Sequence, residues 1–127
     1  MTRLKDKVCL ITGGAGSIGM ASARLFLDEG AKVMLVDLKQ AALADAAARL
    51  GGKNVAIAAA DVAKAVDVTG FVATTVARWG KIDVLFSNAG NFGVVAVIEA
   101  YPKDVFDAVY SVHVKGASWP ANMRPRV

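Results

Sequence analysis

Short apolar runs alternate with longer amphipathic segments along this chain. The short runs are continuous and rich in β-branched residues, which predicts strands at Val8–Ile11, Lys32–Val36, Asn54–Ala59 and Ile82–Phe86. Parallel strands that helices cover on both faces are apolar throughout, so these runs favour a parallel sheet. Repeated strand–helix units with right-handed crossovers then predict a doubly wound α/β sheet.

The segments between the strands have helical spacing. Between the third and fourth strands, Val68, Phe71, Val72 and Val76 recur at three- and four-residue intervals, which places them on one helix face. After the fourth strand, residues 87–101 are predicted to form a loop. A helix is predicted to start at Pro102, a favourable first-turn residue, and to run to about Gly116. The chain thus has four predicted strands and four predicted helices in one domain.

A glycine-rich stretch joins the first strand to the first helix. Residues 12–19 read Thr-Gly-Gly-Ala-Gly-Ser-Ile-Gly and contain a G-x-G-x-x-G at Gly14, Gly16 and Gly19. Glycines let the backbone turn tightly and approach a ligand, and the helix N-terminus supplies free N–H groups for a pyrophosphate. The pattern alone also occurs in plain loops, but the strand and helix on either side favour a dinucleotide site.

An acidic residue, Asp37, closes the second strand. In a dinucleotide fold such a carboxylate accepts hydrogen bonds from the 2′ and 3′ hydroxyls of the adenine-side ribose, and it would repel a 2′-phosphate. Leu38 stands where an arginine would help an NADP site, and Lys39 is one residue further on. We therefore predict NAD. The alternative is that Asp37 caps the helix that begins near Lys39.

Two further segments follow strands. A carboxylate and a backbone N–H at Asp61-Val62 can pair with an adenine edge, although Asp61 could instead be a helix N-cap before Ala63. After the fourth strand, Asn88-Ala89-Gly90 offers small residues that leave room for a ligand at the switch point of the sheet. As an isolated loop, this last segment would indicate only a turn.

Taken together, these residues resemble the short-chain dehydrogenase/reductase family over residues 5 to about 117. Thr12, Gly13, Ile18 and Gly19 match the family motif Thr-Gly-x-x-x-Gly-x-Gly, while Ser17 stands where the family usually has glycine. The resemblance implies a Rossmann-type fold and NAD as cofactor. The cofactor-binding residues that it implies are Gly13, Ser17, Ile18, Gly19, Asp37, Leu38, Asp61, Val62, Asn88, Ala89 and Gly90.

One departure from the family concerns a histidine. The family's helical Asn-x-x-Gly aligns with His113-Val114-Lys115-Gly116, so His113 replaces an asparagine that helps to position a proton relay through water. Histidine can also hold a water and titrates near neutral pH, which makes His113 a candidate catalytic residue. Alternatively, its ring packs beside Val109 and Ala117 as part of the helix.

A larger departure is the lack of the family's catalytic Tyr-x-x-x-Lys. Four residues after Tyr101 and Tyr110, the two tyrosines, stand Val105 and Val114. Reduction of a carbonyl needs a proton donor beside the nicotinamide. We therefore expect residues 1–127 to be a single NAD-binding domain without the catalytic half, inactive alone, from an enzyme that interconverts an alcohol and a ketone on a small molecule.

Other functions remain open at this point. In a sheet of order 3-2-1-4, the apolar fourth strand is an edge, which favours pairing with another chain, as in a homo-oligomer, or a longer native protein. A non-enzymatic NAD-binding module that acts through a partner or self-assembly is the main alternative. A methyltransferase using S-adenosylmethionine would share the glycine loop and the ribose acid, but it would not explain Asn88-Ala89-Gly90.

Composition and charge narrow the remaining classes of function and partner. The chain of 127 residues is 55% hydrophobic and 20% charged, which suits a buried core. Its net charge of +4 comes from scattered residues without a basic stripe, so we expect no nucleic-acid partner. We also expect no membrane span, because no apolar run approaches ~20 residues, and a cytoplasmic location. The single cysteine, Cys9, excludes an internal disulfide, and no metal site is predicted.

Overall fold

The computed structural model describes residues 2–90, 96–115 and 118. Its centre is a parallel sheet of four strands in the order β3-β2-β1-β4. The strands are β1 (Val8–Thr12), β2 (Lys32–Asp37), β3 (Val55–Ala59) and β4 (Val84–Ser87). The predicted α/β class, the strand order and the Rossmann-type topology are confirmed.

Among the described residues, the α-helices that accompany the strands are α1 (Ser17–Asp28), α2 (Gln40–Arg49), α3 (Ala65–Trp79) and α4 (Lys103–Tyr110). A 3₁₀ turn at Ile98–Ala100 precedes α4, and a π-helical turn at Ser111–Lys115 continues it. The single helix predicted over 102–116 is therefore wrong in detail. Pro102 is the N-cap, with an extended ψ of 132°, and not the first helical residue. The predicted end at Gly116 lies outside the described residues.

The core lies on both faces of the sheet. Alternate residues of β1 and β2 point to opposite sides, so Cys9 and Leu35 pack with α1 and α2, whereas Leu10 and Met34 pack with α3. All of these side chains are at most 1% exposed. Burial on both faces explains why the strands are continuous apolar runs in the sequence.

The strand ends differ from the prediction where polar side chains join the ladder. The first two strands continue one residue beyond the predicted apolar runs, to Thr12 and to Asp37, so both polar residues sit at carboxyl ends, and Asp37 closes the second strand as predicted. The fourth strand begins at Val84 and not at Ile82. Just before it, the N–H of Asp83 donates to the Val8 carbonyl at 2.9 Å, and the Asp83 carboxylate accepts the Val8 N–H at 2.8 Å. These bonds set the register at the amino end of the sheet. Within the described ranges, no helix has the length and apolar character that crossing a membrane requires.

Candidate functional site

The glycine loop turns sharply between β1 and α1. Gly13 has a φ of +68°, a conformation that side chains other than glycine rarely adopt. A Cβ placed on Gly19 would collide with the Gly13 carbonyl oxygen and would lie 2.9 Å from the Gly14 Cα. The first turn of α1 can therefore pack against the loop only because Gly19 has no side chain.

The side chain of Thr12 joins this loop to the end of β4. Its hydroxyl oxygen accepts the backbone N–H of Asn88 at 3.0 Å and that of Ala89 at 3.1 Å. The Asn88 side-chain amide in turn approaches the Gly13 carbonyl oxygen at 3.4 Å. Thr12 is 1% exposed, so these bonds form in a water-poor setting. The β4 loop and the glycine loop consequently have a fixed spacing.

Asp37 faces the same loop from the other side. One carboxylate oxygen accepts the Ala15 N–H at 3.0 Å, and the other accepts the Leu38 N–H at 2.8 Å. Helix α2 begins with Lys39 as its N-cap and has no side-chain cap. The alternative that Asp37 caps this helix is thus wrong, because the carboxylate turns toward the glycine loop instead.

Asp61 forms a local turn. One carboxylate oxygen accepts the Ala63 N–H at 2.9 Å, and the Asp61 N–H donates to the Asp67 carboxylate at 2.9 Å. Helix α3 starts only at Ala65 after an N-cap at Lys64, so Asp61 is not that helix's N-cap. The side chain shapes the segment after β3, while Val62 is 7% exposed and belongs to the core face that α3 covers.

The carboxyl ends of the strands enclose a cavity of about 570 Å³. Parallel strands open such a crevice where the strand order reverses, here between β1 and β4. The residues that line the cavity come from every strand end, the start of α1 and the π turn. They are Gly13, Gly16, Ser17, Ile18, Val36, Asp37, Leu38, Ala60, Asp61, Val62, Asn88, Ala89, Gly90, Val112 and His113.

Every predicted site residue except Gly19 lines this cavity. Gly19 lies beneath the loop, where it allows close packing. Gly16, which belongs to the predicted glycine motif but was not among the predicted site residues, also lines it, and sequence reasoning missed three further lining residues: Val36, Ala60 and Val112. Val36 and Ala60 adjoin Asp37 and Asp61, so their position at a strand end was an available signal. Val112 had none, because its place depends on how the π turn docks.

His113 sits at one end of the cavity on the π turn. A Cβ built on Gly90 would lie 3.0 Å from its Cε1 atom, so the imidazole ring lies directly over the Gly90 backbone. The residue is exposed overall. The alternative was that the His113 ring packs beside Val109 and Ala117, and Ala117 lies outside the described residues. The structure thus brings His113 next to the segment that follows β4.

The cavity has carboxylates on one side and the electropositive N-terminus of α1 on the other. Asp37 and Asp61 contribute carboxylates, and none of the described residues lining the cavity is lysine or arginine. The N-terminus of α1, whose first N–H groups have no intrahelical partners, points its partial positive charge at the same space. Such an arrangement can hold an anionic group at the loop and a hydroxyl-bearing group at Asp37.

Comparison with known proteins places the chain in a family. The sequence model of the short chain dehydrogenase family matches residues 7–123. Short-chain dehydrogenase reductase 3c of Arabidopsis thaliana is 39% identical over 116 residues, which are 91% of this chain and 45% of that protein. Tropinone reductase-like 1 of Erythroxylum coca is 42% identical over 129 residues, 98% of this chain and 47% of that protein.

Solved structures agree with this assignment. A crystal structure of NAD⁺-bound xylitol dehydrogenase superposes with a TM-score of 0.91 at 36% identity, covering 97% of this chain and 48% of that one. A 3-ketoacyl-(acyl-carrier-protein) reductase from Brucella melitensis complexed with NADH gives 0.89 at 33% identity, covering 94% and 49%. The chain therefore spans about half the length of the proteins it matches, and it belongs to the short-chain dehydrogenase family.

Proposed function

We propose that the cavity binds NAD and that this chain is the cofactor-binding portion of an oxidoreductase that interconverts an alcohol and a ketone on a small molecule. The observation that carries the proposal is the position of Asp37, at the end of β2 and across from the glycine loop. The xylitol dehydrogenase structure contains NAD⁺ and the 3-ketoacyl reductase structure contains NADH, and both share this fold closely.

The glycine loop fits a pyrophosphate. Gly13, Ser17 and Ile18 line the cavity at the start of α1, where free N–H groups and the helix dipole favour anions. Gly19 allows the loop to pack against α1, because a side chain at this position would push the loop away from the helix. A bulky or charged side chain is missing from the loop itself, so its backbone can approach phosphate oxygens directly.

Asp37 supports NAD in preference to NADP. Its carboxylate can accept hydrogen bonds from the ribose hydroxyls, whereas it would repel the negative charge of a 2′-phosphate. Leu38, 66% exposed, offers no compensating charge, and no lysine or arginine is among the described lining residues. Asp61 and Val62 would contact the adenine, and Asn88, Ala89 and Gly90 would border the nicotinamide.

Calorimetric titration of the chain with NAD and NADP tests this assignment. We expect NAD to bind at least about tenfold more tightly than NADP, and Asp37→Ala to weaken NAD binding by about tenfold or more, since hydrogen bonds to a charged group contribute about 1.5–3 kcal/mol. Asp45→Ala is the control, because Asp45 forms an exposed ion pair with Arg49 on α2. Equal affinity for NADP would contradict the role of Asp37.

Catalysis by the 127-residue chain alone is not expected. When bound, NAD supplies the hydride acceptor, but the sequence has no tyrosine with a lysine four residues later to hold the proton. His113, over Gly90, is the candidate proton-handling residue at this end of the cavity. We expect this chain not to oxidise alcohols, which an assay that monitors the absorbance of reduced nicotinamide would measure. Measurable turnover that His113→Ala abolishes would instead assign the proton transfer to His113.

A second candidate is a non-enzymatic NAD-binding module that acts through self-assembly. The supporting observation is an apolar stripe on α4 and the π turn, where Phe106, Tyr110 and Val114 are 59%, 44% and 49% exposed. The Phe106 and Tyr110 rings stack with centroids 6.4 Å apart. We expect light scattering to detect a homo-oligomer that Phe106→Lys dissociates. A monomer at all concentrations would remove this candidate.

A further inference from the structure

The carboxylate of Asp37 already has partners within the protein. Of its two oxygens, one accepts the Ala15 N–H at 3.0 Å and the other accepts the Leu38 N–H at 2.8 Å. Ala15 lies in the middle of the glycine loop, 22 residues earlier in the chain. The bond is charge-assisted, which makes it stronger than a bond between neutral groups. A residue that only recognised ribose would have no need of this contact.

The loop is held at other points, but by different groups. The Gly14 N–H donates to the Val36 carbonyl at 3.0 Å, and a Cβ on Gly14 would lie 2.9 Å from the Leu35 Cβ. These backbone contacts fix the start of the loop against β2. The hydrogen bond from the Ala15 N–H differs, because its acceptor is the Asp37 side chain, which a substitution can remove. Ala15 is half-buried, so its N–H would lose a partner that water replaces poorly.

We propose that Asp37 is the positioning residue of the phosphate loop as well as the ribose acceptor. Its bond to Ala15 holds the loop in the geometry that presents the N–H groups of α1 to a pyrophosphate. This inference rests on the proposed NAD site and gives one of its residues a second task. Pyrophosphate binding then depends on residue 37 even when the ligand has no ribose hydroxyls. A substitution that removes the carboxylate to admit a 2′-phosphate also releases the loop.

Two neutral substitutions of similar size separate these roles. Asp37→Asn keeps an oxygen that can accept the Ala15 N–H, whereas Asp37→Leu has none. The probe is 2′,3′-dideoxyadenosine 5′-diphosphate, which keeps the pyrophosphate but lacks both ribose hydroxyls. By calorimetry, we expect Asp37→Asn to bind it within about threefold of the parent chain and Asp37→Leu at least about tenfold more weakly than Asp37→Asn. Equal affinities of the two variants would overturn the proposal.

Amide hydrogen exchange of the ligand-free chain gives a second readout. The Ala15 N–H should exchange at least about tenfold faster in Asp37→Leu than in the parent chain, with protection retained in Asp37→Asn. Asp37→Ala, which cannot overfill the site, should match Asp37→Leu and replaces it if the leucine variant does not fold. Unchanged protection in the variants without an acceptor would overturn the proposal.

The two readouts also distinguish the inference from the proposed function. If the parent chain bound neither NAD nor the dideoxy diphosphate, the proposed NAD site would be contradicted. The hydrogen exchange of the Ala15 N–H would still decide whether Asp37 holds the loop. NAD binding together with unchanged Ala15 exchange in Asp37→Ala would leave the ribose role and remove the positioning role.

Discussion

The hydroxyl oxygen of Thr12 accepts the Asn88 N–H at 3.0 Å, which joins two segments 76 residues apart in the chain. The same oxygen accepts the Ala89 N–H, so one buried atom satisfies two backbone donors. The last residue of β1 therefore decides where the segment after β4 begins. The spacing between the glycine loop and the far wall of the cavity depends on this contact.

Replacement of Thr12 by valine should be costly although the two side chains have the same shape. The hydroxyl acceptor is lost and two backbone N–H groups lose their partner, so we expect the free energy of unfolding to fall by about 1–3 kcal/mol. Urea denaturation measures this change. Thr12→Ser keeps the acceptor and should lose less. The control is Thr74→Val on the exposed face of α3, where the hydroxyl donates to the Gly70 carbonyl of its own helix and the change should stay within ~0.5 kcal/mol. Equal losses at positions 12 and 74 would contradict this account.

Two glycines in helices should respond in opposite ways to alanine. At Gly19 a Cβ would meet backbone atoms of Gly13 and Gly14, so Gly19→Ala should displace the loop, destabilise the chain and abolish NAD binding. At Gly70, within α3, a Cβ would meet nothing within 4 Å, and alanine should stabilise the helix by about 0.5–1 kcal/mol. Thermal unfolding and NAD titration of both variants make the comparison. A Gly19→Ala chain that binds NAD normally would contradict the packing argument.

Acid should weaken the contact between Asp83 and the start of β1. The Val8 N–H and the Lys81 ammonium, 3.0 Å away, hold the pKa of Asp83 below its ordinary value. Because the folded-state pKa is lowered, the stabilisation is complete above the unfolded value of about 3.9 and is lost as pH falls through the folded value. We expect Asp83→Asn to be less stable than the parent chain at neutral pH and the difference to shrink in acid. Urea unfolding across this pH range measures it, and a constant difference at every pH would count against it.

The thiol of Cys9 should be inert in the folded chain. Burial, with a smaller contribution from the nearby Asp83 carboxylate, raises its pKa to about 11, and the residue, the second of β1, is 0% exposed. Since the thiolate is the reactive form, a disulfide reagent at pH of about 8 should label Cys9 only as fast as the chain unfolds. In denaturant, labelling should be fast and reach one thiol per chain. Rapid labelling under native conditions would mean that β1 opens without global unfolding.

Much of the fold followed from the sequence because its signals are local. Continuous apolar runs such as Val8–Ile11 require burial on both faces, and their alternation with amphipathic segments leaves few topologies besides a doubly wound sheet. The carboxyl ends of parallel strands meet at one edge. Asp37, Asp61 and Asn88, each at or just after the carboxyl end of a strand, therefore lie along one common edge of the sheet.

The directions of individual side chains required the tertiary structure. Asp37 could have capped α2 or faced the glycine loop, and only the parallel pairing of β1 with β2 brings the Ala15 N–H within 3.0 Å of it. His113 lies over Gly90 on a π turn that follows Tyr110, where the sequence pattern predicted only the continuation of one helix. By itself, the sequence determined the order of the elements and the residues available at their ends, since periodicity and glycine placement are local properties. The tertiary structure decided which groups bond across the site, because those distances depend on how separate strands pack.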